Sequence, residues 1–309
     1  MVAVSGVRPP HPTDLRLLNL SLDPEGGHGR FELIWGLGRH DGALYGGTGI
    51  AVSVAAMEAA TGREALWVTT QFAATAHLGS VIDVETQVLA SGRAISQLLV
   101  TARHAGRTLF VSVGSTATPR PDGLDGQFET MPVVTAPEDS MPIVLGPTWM
   151  KDVGGLGANI EYRVARRPDA GAPAPTAAQV EATGQQVPMT LWARLTEGRP
   201  STRAGIAFLA DMIPPAIARA AGMLGGGPSL DNSLRFGRVG PDVTWVLLEL
   251  WGHMAYGAHA HGAARVWSPD GDLLAVGSQT ANMVHIVPMG DAGSGFDRLA
   301  DPGPPAGSR

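Results

Sequence analysis

Residues 44–60 read Leu-Tyr-Gly-Gly-Thr-Gly-Ile-Ala-Val-Ser-Val-Ala-Ala-Met-Glu-Ala-Ala, and Thr61-Gly62 follows them. Apolar side chains would occupy nearly every face of a helix built from this stretch, which is typical of a helix buried on all sides. A strand-like segment precedes it at 30–37, and strand candidates separated by turn signals follow it at about 64–75, 80–90, 94–103 and 108–118. The stretch therefore predicts a buried helix wrapped by an antiparallel sheet.

The same pattern recurs in the second half of the chain. Strand-like segments at 160–166 and 189–195 precede an apolar helix at 202–221, and strand candidates follow it at about 229–237, 243–254, 260–268 and 272–285. The strand end Val-Gly-Ser-Thr-Ala at 113–117 resembles Val-Gly-Ser-Gln-Thr-Ala at 276–281, and two registers of this match place either Gly114 or Thr116 at the position of Gln279. The repeat predicts an α+β double hotdog, two tandem units that each wrap a long buried helix in an antiparallel β-sheet.

Shifts in composition divide the chain into five parts. We expect an N-terminal arm at 1–29, a first hotdog at 30–121, a linker with little regular structure at 122–155, a second hotdog at 156–289 and a disordered tail at 290–309. Inside the second hotdog, the Pro, Ala and Gly content of 167–186 predicts a mobile loop.

Composition and charge exclude several classes of protein. A formal net charge of −6 without a block of Lys or Arg argues against a nucleic-acid surface, since phosphate binding needs clustered positive charge. The absence of cysteine removes disulfides, thiolate nucleophiles and Cys-ligated zinc. Apolar runs such as 243–254 are interrupted by polar residues and glycine, so we expect no membrane span. The N-terminus lacks the pattern of a secretion signal, and we expect a cytoplasmic protein.

Asp211 is the only ionisable residue between Ala204 and Ala218. Burial disfavours a charged carboxylate, so its pKa should rise unless it has partners, and acids with strongly perturbed pKa values concentrate at functional sites. Two other interpretations stay open from residue type alone: the carboxylate faces solvent, or it caps the segment that Pro214-Pro215 interrupts.

Gln279 and Ser229 raise the same question on strands. By alternation Gln279 shares a strand face with apolar residues only, so its amide needs a hydrogen-bond partner there. Ser229 stands where the segment 225–228, Gly-Gly-Gly-Pro, changes to a strand, a place suited to a polar group beside a cavity. The alternatives are a structural hydrogen bond for Gln279 and simple turn chemistry for Ser229.

Three segments of the second half resemble the type II acyl-CoA thioesterase (TesB-like) family. They are Ala-Phe-Leu-Ala-Asp-Met-Ile-Pro-Pro at 207–215, Pro-Ser-Leu-Asp-Asn-Ser-Leu-Arg-Phe at 228–236 and Asp-Gly-Asp-Leu-Leu-Ala-Val-Gly-Ser-Gln at 270–279. The first half is similar through Gly46-Gly47 and through Asp-Val-Glu-Thr at 83–86, so the likeness covers about 30–285. Serine replaces the more familiar threonine at 229, and Asn232 stands where a histidine is common.

The resemblance implies hydrolysis of fatty-acyl-CoA without a covalent intermediate, a cofactor or a metal. Asp211 would be the base, while Ser229 and Gln279 would direct the attacking water. Backbone N–H groups near Gly46, Gly47 and Thr48 would bind the thioester oxygen. The CoA phosphates could meet Arg203, Arg235, Arg238 or Arg265, and a homo-oligomer is expected by analogy with the family.

Other functions compete with this hypothesis. A hotdog enoyl-CoA hydratase or dehydratase needs a histidine about five residues after its aspartate, but Ala216 follows Asp211 at that distance. A non-catalytic acyl-CoA-binding module stays open from the sequence. His253, His259 and His261 suggest a metal site only weakly, because no acidic ligand lies close in sequence. No Gly-x-Ser-x-Gly segment is present, which disfavours a serine hydrolase.

Overall fold

A computed structural model describes residues 11–143, 153–166, 188–196 and 202–288. The elements of the first half, in chain order, are α1 (Pro12–Leu17), β1 (Leu20–Leu22), β2 (His28–Glu32), a 3₁₀ helix (Trp35–Leu37), α2 (Gly46–Thr61), β3 (Glu64–Phe72), β4 (Val81–Ser91), β5 (Ile95–His104) and β6 (Arg107–Ala117). Those of the second half are β7 (Met141–Ile143), α3 (Leu156–Asn159), β8 (Ile160–Val164), β9 (Met189–Leu195), α4 (Arg203–Leu209), α5 (Ile213–Ala220), β10 (Met223–Gly226), β11 (Ser229–Phe236), β12 (Val246–Tyr256), β13 (His259–Trp267), β14 (Leu273–Asn282) and β15 (His285–Pro288).

Within the described residues, thirteen strands form one continuous antiparallel sheet. Its order is β1-β2-β4-β5-β6-β3 in the first half and β11-β14-β13-β12-β9-β8-β7 in the second. In the first half, β2 pairs with β4 and β3 pairs with β6. In the second half, β9 pairs with β12 and β11 pairs with β14 in the same way. The predicted double hotdog is confirmed, and six strands follow the same order in both halves, while β7 and the pair β10 and β15 have no counterpart in the described part of the first half.

The two hotdogs join edge to edge through β3 and β11. Thr69 lies opposite Ser233, and their hydroxyl oxygens are 2.9 Å apart. Thr70 lies opposite Asn232 on one side of that pair, and Val68 lies opposite Leu234 on the other. The junction therefore has an approximate twofold axis at Thr69 and Ser233.

The two long helices pack against each other beneath the sheet, and they differ in continuity. Helix α2 runs unbroken, is buried over most of its length and ends at Gly62, whose φ of 63° is the left-handed conformation that glycine adopts easily. The predicted helix at 202–221 is broken between Leu209 and Ile213 into α4 and α5. The single long helix expected there was wrong, because Pro214 and Pro215 have no N–H groups for the preceding turn.

Other expectations differ from the structure in detail. The strand expected at 30–37 ends at Glu32, and a 3₁₀ turn follows it. Strands β10 and β15 form a separate two-stranded ribbon that the sequence patterns did not indicate. The loop expected at 167–186 and the tail at 290–309 lie outside the described residues.

The predicted arm and linker both make specific contacts. Leu17, Leu18 and Leu20 of the arm are buried in the main core, and β1 extends the sheet of the first hotdog. The linker crosses the outer face of the second hotdog, where Met131 and Val134 pack on a small apolar cluster that contains Trp192, Leu247 and Trp267. The five-part division of the chain stays a prediction.

Among the described residues, no helix combines the length and the apolar character needed to cross a lipid bilayer.

Candidate active site

Asp211 lies in the break between α4 and α5, and its side chain points inward. The residue is 6% exposed. Its Oδ2 accepts a hydrogen bond of 2.7 Å from the backbone N–H of Gly47, at the start of α2. Its Oδ1 accepts from Asn232 Nδ2 at 3.0 Å and from Gln279 Nε2 at 2.6 Å. Donors from both hotdogs therefore bind the single carboxylate of Asp211. Its side chain neither faces solvent nor caps α5.

Gln279 links Asp211 to Ser229. Its amide nitrogen donates to Ser229 Oγ at 2.6 Å as well as to Asp211, so the structure brings all three residues expected to be catalytic into one hydrogen-bonded cluster. Its carbonyl oxygen, Oε1, is buried and accepts no hydrogen bond from the described residues. An orphaned buried acceptor is costly, so a group from outside the protein would find a ready partner here.

The backbone of β11 explains how Ser229 reaches this cluster. Ser229 and Asn232 are three residues apart, and strict alternation would put them on opposite faces of the sheet. A bulge between Ser229 and Asp231 shifts the register, so that both side chains face the helices. Strand pairing then places Asn232 directly opposite Gln279.

The electrostatics of Asp211 combine burial with three donors. Burial raises the pKa of Asp211 to about 6, while the hydrogen bonds from Gln279, Gly47 and Asn232 and the charge of Arg39 act to lower it. The acid is therefore largely ionised at neutral pH yet basic enough to accept a proton. Such a pKa suits a general base.

The three residues expected to bind the thioester oxygen differ in their contacts. The N–H of Gly47 is engaged by Asp211, and the N–H and hydroxyl of Thr48 are bonded to the carbonyl groups of Tyr45 and Leu37. Gly46 faces the cluster directly, since a Cβ added there would lie 2.6 Å from Asp211 Oδ2 and 3.0 Å from Ser229 Oγ. Among the three, only the Gly46 N–H has no acceptor in the described part of the chain.

Several neighbours of the site received no role in the sequence analysis. Asn232, which the family pattern marks only as a departure, donates to Asp211, and an amide on a strand of alternating apolar residues is the signal that could have identified it. The hydroxyl of Tyr45 donates to the carbonyl groups of Phe208 and Asp211, each at 3.1 Å. The sequence offers no signal for Tyr45 or Arg39, because both act across the junction of the two halves.

The first hotdog has no polar counterpart of this cluster. Each half of the sheet has a bulge at the corresponding place, after Ala65 in β3 and after Ser229 in β11. Aligning the bulges places Ala65, Val68 and Gly114 where the second half has Ser229, Asn232 and Gln279. Gly114, rather than Thr116, is therefore the counterpart of Gln279, and Met57 occupies the space beside it.

The four arginines considered for CoA binding have other partners in this structure. Arg203, Arg238 and Arg265 form ion pairs with Glu64, Asp125 and Glu129, respectively. Arg235 lies over the ring of Trp67, with its Cζ 5.2 Å from the ring centroid. The last two acids belong to the linker on the outer face of the second hotdog. A role in binding CoA stays a prediction for each of the four.

The histidines of β12 and β13 do not assemble a metal centre in the part of the chain that the structure describes. The rings of His253 and His261 are 5.9 Å apart, and His261 contacts Thr280. No group of three or more His, Asp or Glu residues there is arranged to hold a metal ion.

Comparison with known families matches both halves of the chain. A model described as the acyl-CoA thioesterase N-terminal domain matches residues 37–118, and one described as the acyl-CoA thioesterase C-terminal domain matches residues 131–283. No curated protein sequence matches.

Solved structures show the same fold along most of their lengths. A candidate thioesterase from Novosphingobium aromaticivorans is 28% identical with a TM-score of 0.72, covering 85% of this chain and 97% of that one. A hot dog fold protein of unknown function from Alicyclobacillus acidocaldarius is 18% identical (TM-score 0.70; 88% and 98% covered). The acyl-CoA thioesterase II TesB2 from Mycobacterium marinum is 17% identical (TM-score 0.66; 87% and 97% covered).

Proposed function

Because this chain belongs to the acyl-CoA thioesterase family, we propose that it hydrolyses fatty-acyl-CoA to the free acid and CoA with a water molecule that Asp211, Ser229 and Gln279 activate. The family makes the protein a thioester hydrolase, as the sequence predicted. The residue roles and the fatty acyl group are our proposal. Its main support is the Gln279 amide nitrogen, which lies 2.6 Å from both Asp211 Oδ1 and Ser229 Oγ.

The hydrogen-bonding capacity of the cluster suits one bound water. Asp211 can accept its proton, and Gln279 Oε1 offers a second acceptor. Ser229 accepts from Gln279, so its own O–H can donate to the water oxygen. The water would donate two hydrogen bonds and accept one, so its position would be fixed and one lone pair would remain free. That lone pair is the one that attacks the carbonyl carbon.

Hydrolysis then proceeds in two steps. The water oxygen bonds to the thioester carbon while its proton passes to Asp211, and negative charge develops on the former carbonyl oxygen. The free N–H of Gly46, at the N-terminus of α2, is the donor that we assign to this oxyanion. The carbon–sulfur bond then breaks, and the CoA thiolate takes the proton from Asp211.

The surroundings of Asp211 support an apolar acyl group. Phe208, Met212 and Ile213 lie within three residues of it along the chain, and their buried side chains carry no nitrogen or oxygen atom. An acyl chain would be accommodated here by exclusion of water rather than by hydrogen bonds.

Replacement of Asp211 tests the proposal. We expect Asp211→Asn to lower kcat for thiol release from acyl-CoAs of increasing chain length by about 10²- to 10⁴-fold, because the base is lost while the shape is kept. The matched control is Asp231→Asn on the same sheet, where Oδ1 accepts from the backbone of Thr280 and an amide oxygen can do the same. Full activity of Asp211→Asn would rule out this mechanism, while tight acyl-CoA binding without turnover by the wild type would favour a binding module.

A role in fatty acid metabolism, a cytoplasmic location and a homo-oligomeric assembly are further proposals that rest on the sequence and the family. Light scattering of the purified protein measures the assembly, and cell fractionation measures the location.

A further inference from the structure

We propose that Tyr45 of the first hotdog is a positioning residue for Asp211, a role that rests on the proposed function of Asp211 as the base. Tyr45 immediately precedes α2, and its hydroxyl lies 3.1 Å from the carbonyl oxygens of both Phe208 and Asp211. The site of the second hotdog would then depend on a side chain of the first.

The helix break explains why these two carbonyl groups need an outside donor. In an uninterrupted α-helix, the N–H of residue 212 would donate to Phe208 and that of residue 215 to Asp211. Met212 N–H instead donates to the carbonyl of Ala210 at 2.8 Å, and Pro215 has no N–H. Both carbonyl groups therefore lose their helical donors at the residue that carries the carboxylate.

Tyr45 is placed to replace those donors. Its side chain is buried, so water does not compete for the hydroxyl, and its ring packs edge-to-face on Phe208 with centroids 5.5 Å apart. The next two residues, Gly46 and Gly47, start α2, and the Gly47 N–H holds the Asp211 carboxylate. One short segment thus fixes the backbone of Asp211 through the Tyr45 hydroxyl and its carboxylate through Gly47.

The proposal is tested with Tyr45→Phe, which keeps the ring and removes only the hydroxyl. Since a displacement of about 1 Å at a reacting group can cost about 100-fold, we expect kcat to fall about 10- to 100-fold while KM changes less than about twofold. Tyr256→Phe is the control for the substitution itself, because the Tyr256 side chain at the end of β12 is 92% exposed. We expect that control to keep the kcat of the wild type.

A second measurement does not depend on turnover. In the wild type, the Gly47 amide proton resonance should follow the ionisation of Asp211, because that N–H donates to its Oδ2. We expect the amplitude of this titration to fall in Tyr45→Phe and to persist in Tyr256→Phe. If the wild type hydrolyses no acyl-CoA, the proposed function fails, and the Gly47 titration still decides whether Tyr45 positions Asp211.

The Gly47 titration distinguishes an effect of Tyr45 on Asp211 from any other loss of activity. An unchanged Gly47 titration in Tyr45→Phe overturns the proposal, even if kcat falls, because the loss would not pass through Asp211. The wild type provides a test that does not require the variant to fold: the Tyr45 hydroxyl proton must exchange slowly with solvent, visible as a deuterium-induced splitting of its Cζ signal. A hydroxyl in fast exchange with water also overturns the proposal.

Discussion

Three hydrogen-bond donors from three different elements hold the Asp211 carboxylate. The Gly47 N–H comes from the start of α2, the Asn232 amide from β11 and the Gln279 amide from β14. Each donor stabilises the ionised form and so opposes the effect of burial on the pKa. The balance leaves a buried acid that is largely ionised at neutral pH, whereas burial without these donors would raise its pKa further.

Gly46 is the residue at which the site tolerates least additional volume. A methyl group there would lie too close to Asp211 Oδ2 and Ser229 Oγ, and Asp211 cannot move without breaking its bonds to the three donors. We expect Gly46→Ala to lower kcat by about 10- to 100-fold with the fold intact. Gly157→Ala, where an added Cβ meets nothing within 4 Å, is the control and should match the wild type. Equal kcat values for both variants would show that Gly46 does not border the reacting groups.

The pH dependence of the reaction follows from the sign of the shift at Asp211. Burial raises its pKa to about 6, and only the carboxylate can accept a proton. We therefore expect kcat/KM to be level above about pH 7 and to fall about tenfold per pH unit below about pH 6. Released CoA measured by chromatography between about pH 5 and about pH 8 gives the profile. A profile that stays level through this range would contradict the role of Asp211 as the base.

At the scale of elements, the break in the second long helix is what places Asp211 in the candidate site. Helix α4 ends at Leu209 and α5, with Pro214 and Pro215 in its first turn, begins at Ile213, so Asp211 lies in the gap between them rather than along a helix face. The continuous α2 supplies the matching N-terminus, where the Gly47 N–H binds the carboxylate of Asp211 and the Gly46 N–H has no acceptor among the described residues. The two helices therefore have different tasks although they occupy equivalent places in the repeat.

Helix α1 is attached to α4 through a second buried acid, Asp14. Thr202 caps α4 by accepting from the Gly205 N–H, and its hydroxyl donates to Asp14 Oδ1 at 2.6 Å. Burial raises the pKa of Asp14 to about 6, while the Thr202 hydrogen bond and the charge of His11 act to lower it. The folded state therefore favours the protonated form more than the unfolded chain does.

Linkage gives the sign of the resulting stability change. With a folded pKa of about 6 and an ordinary value of 3.8, the stabilisation from Asp14 is complete below pH 3.8 and is lost as the pH rises through about 6. We expect the free energy of unfolding of Asp14→Asn, relative to wild type, to increase by about 1 to 3 kcal/mol over this window. Urea unfolding at both ends of the window measures it. Asp122→Asn on the exposed linker controls for the change in net charge, and a relative stability independent of pH would contradict the prediction.

At the scale of the whole molecule, the junction of β3 and β11 makes one sheet from two hotdogs. Helices α2 and α4 pack against each other across the same junction, and the apolar core is continuous through both halves. Only the second half has the polar cluster, while its counterpart in the first half is built from Ala65, Val68 and Gly114. The duplication has left one half to supply the acid and its strand partners and the other to supply the helix N-terminus.

This continuity predicts that the two halves unfold together. Phe110 is fully buried against α2 in the first hotdog, and we expect Phe110→Ala to lower the free energy of unfolding by about 3 to 5 kcal/mol. Hydrogen exchange of core amides should accelerate by the same factor in β6 and in β14. Phe128→Ala, on a side chain that is 86% exposed, is the control. Unchanged protection of β14 would show that the hotdogs unfold separately.

Local patterns in the sequence predicted the repeated architecture and marked Asp211 and Gln279 as polar residues in need of partners, while the choice of Ser229 rested on the resemblance to the family. The apolar stretch at 44–60 predicted a buried helix, and the structure has one at Gly46–Thr61. Most strand boundaries fell within a few residues of those observed, and Asp211 and Gln279 stood out because polar groups in apolar surroundings need partners. These inferences succeeded because burial and alternation are properties of neighbouring residues along the chain.

The tertiary structure alone decided how the cluster is completed. The bulge after Ser229 turned that hydroxyl toward Asn232, the pairing of β11 with β14 brought Gln279 to Asp211, and the packing of α2 on α4 added Gly47 and Tyr45 from about 165 residues away. No local pattern encodes such contacts, because strand register and helix crossing are set by how the whole core packs.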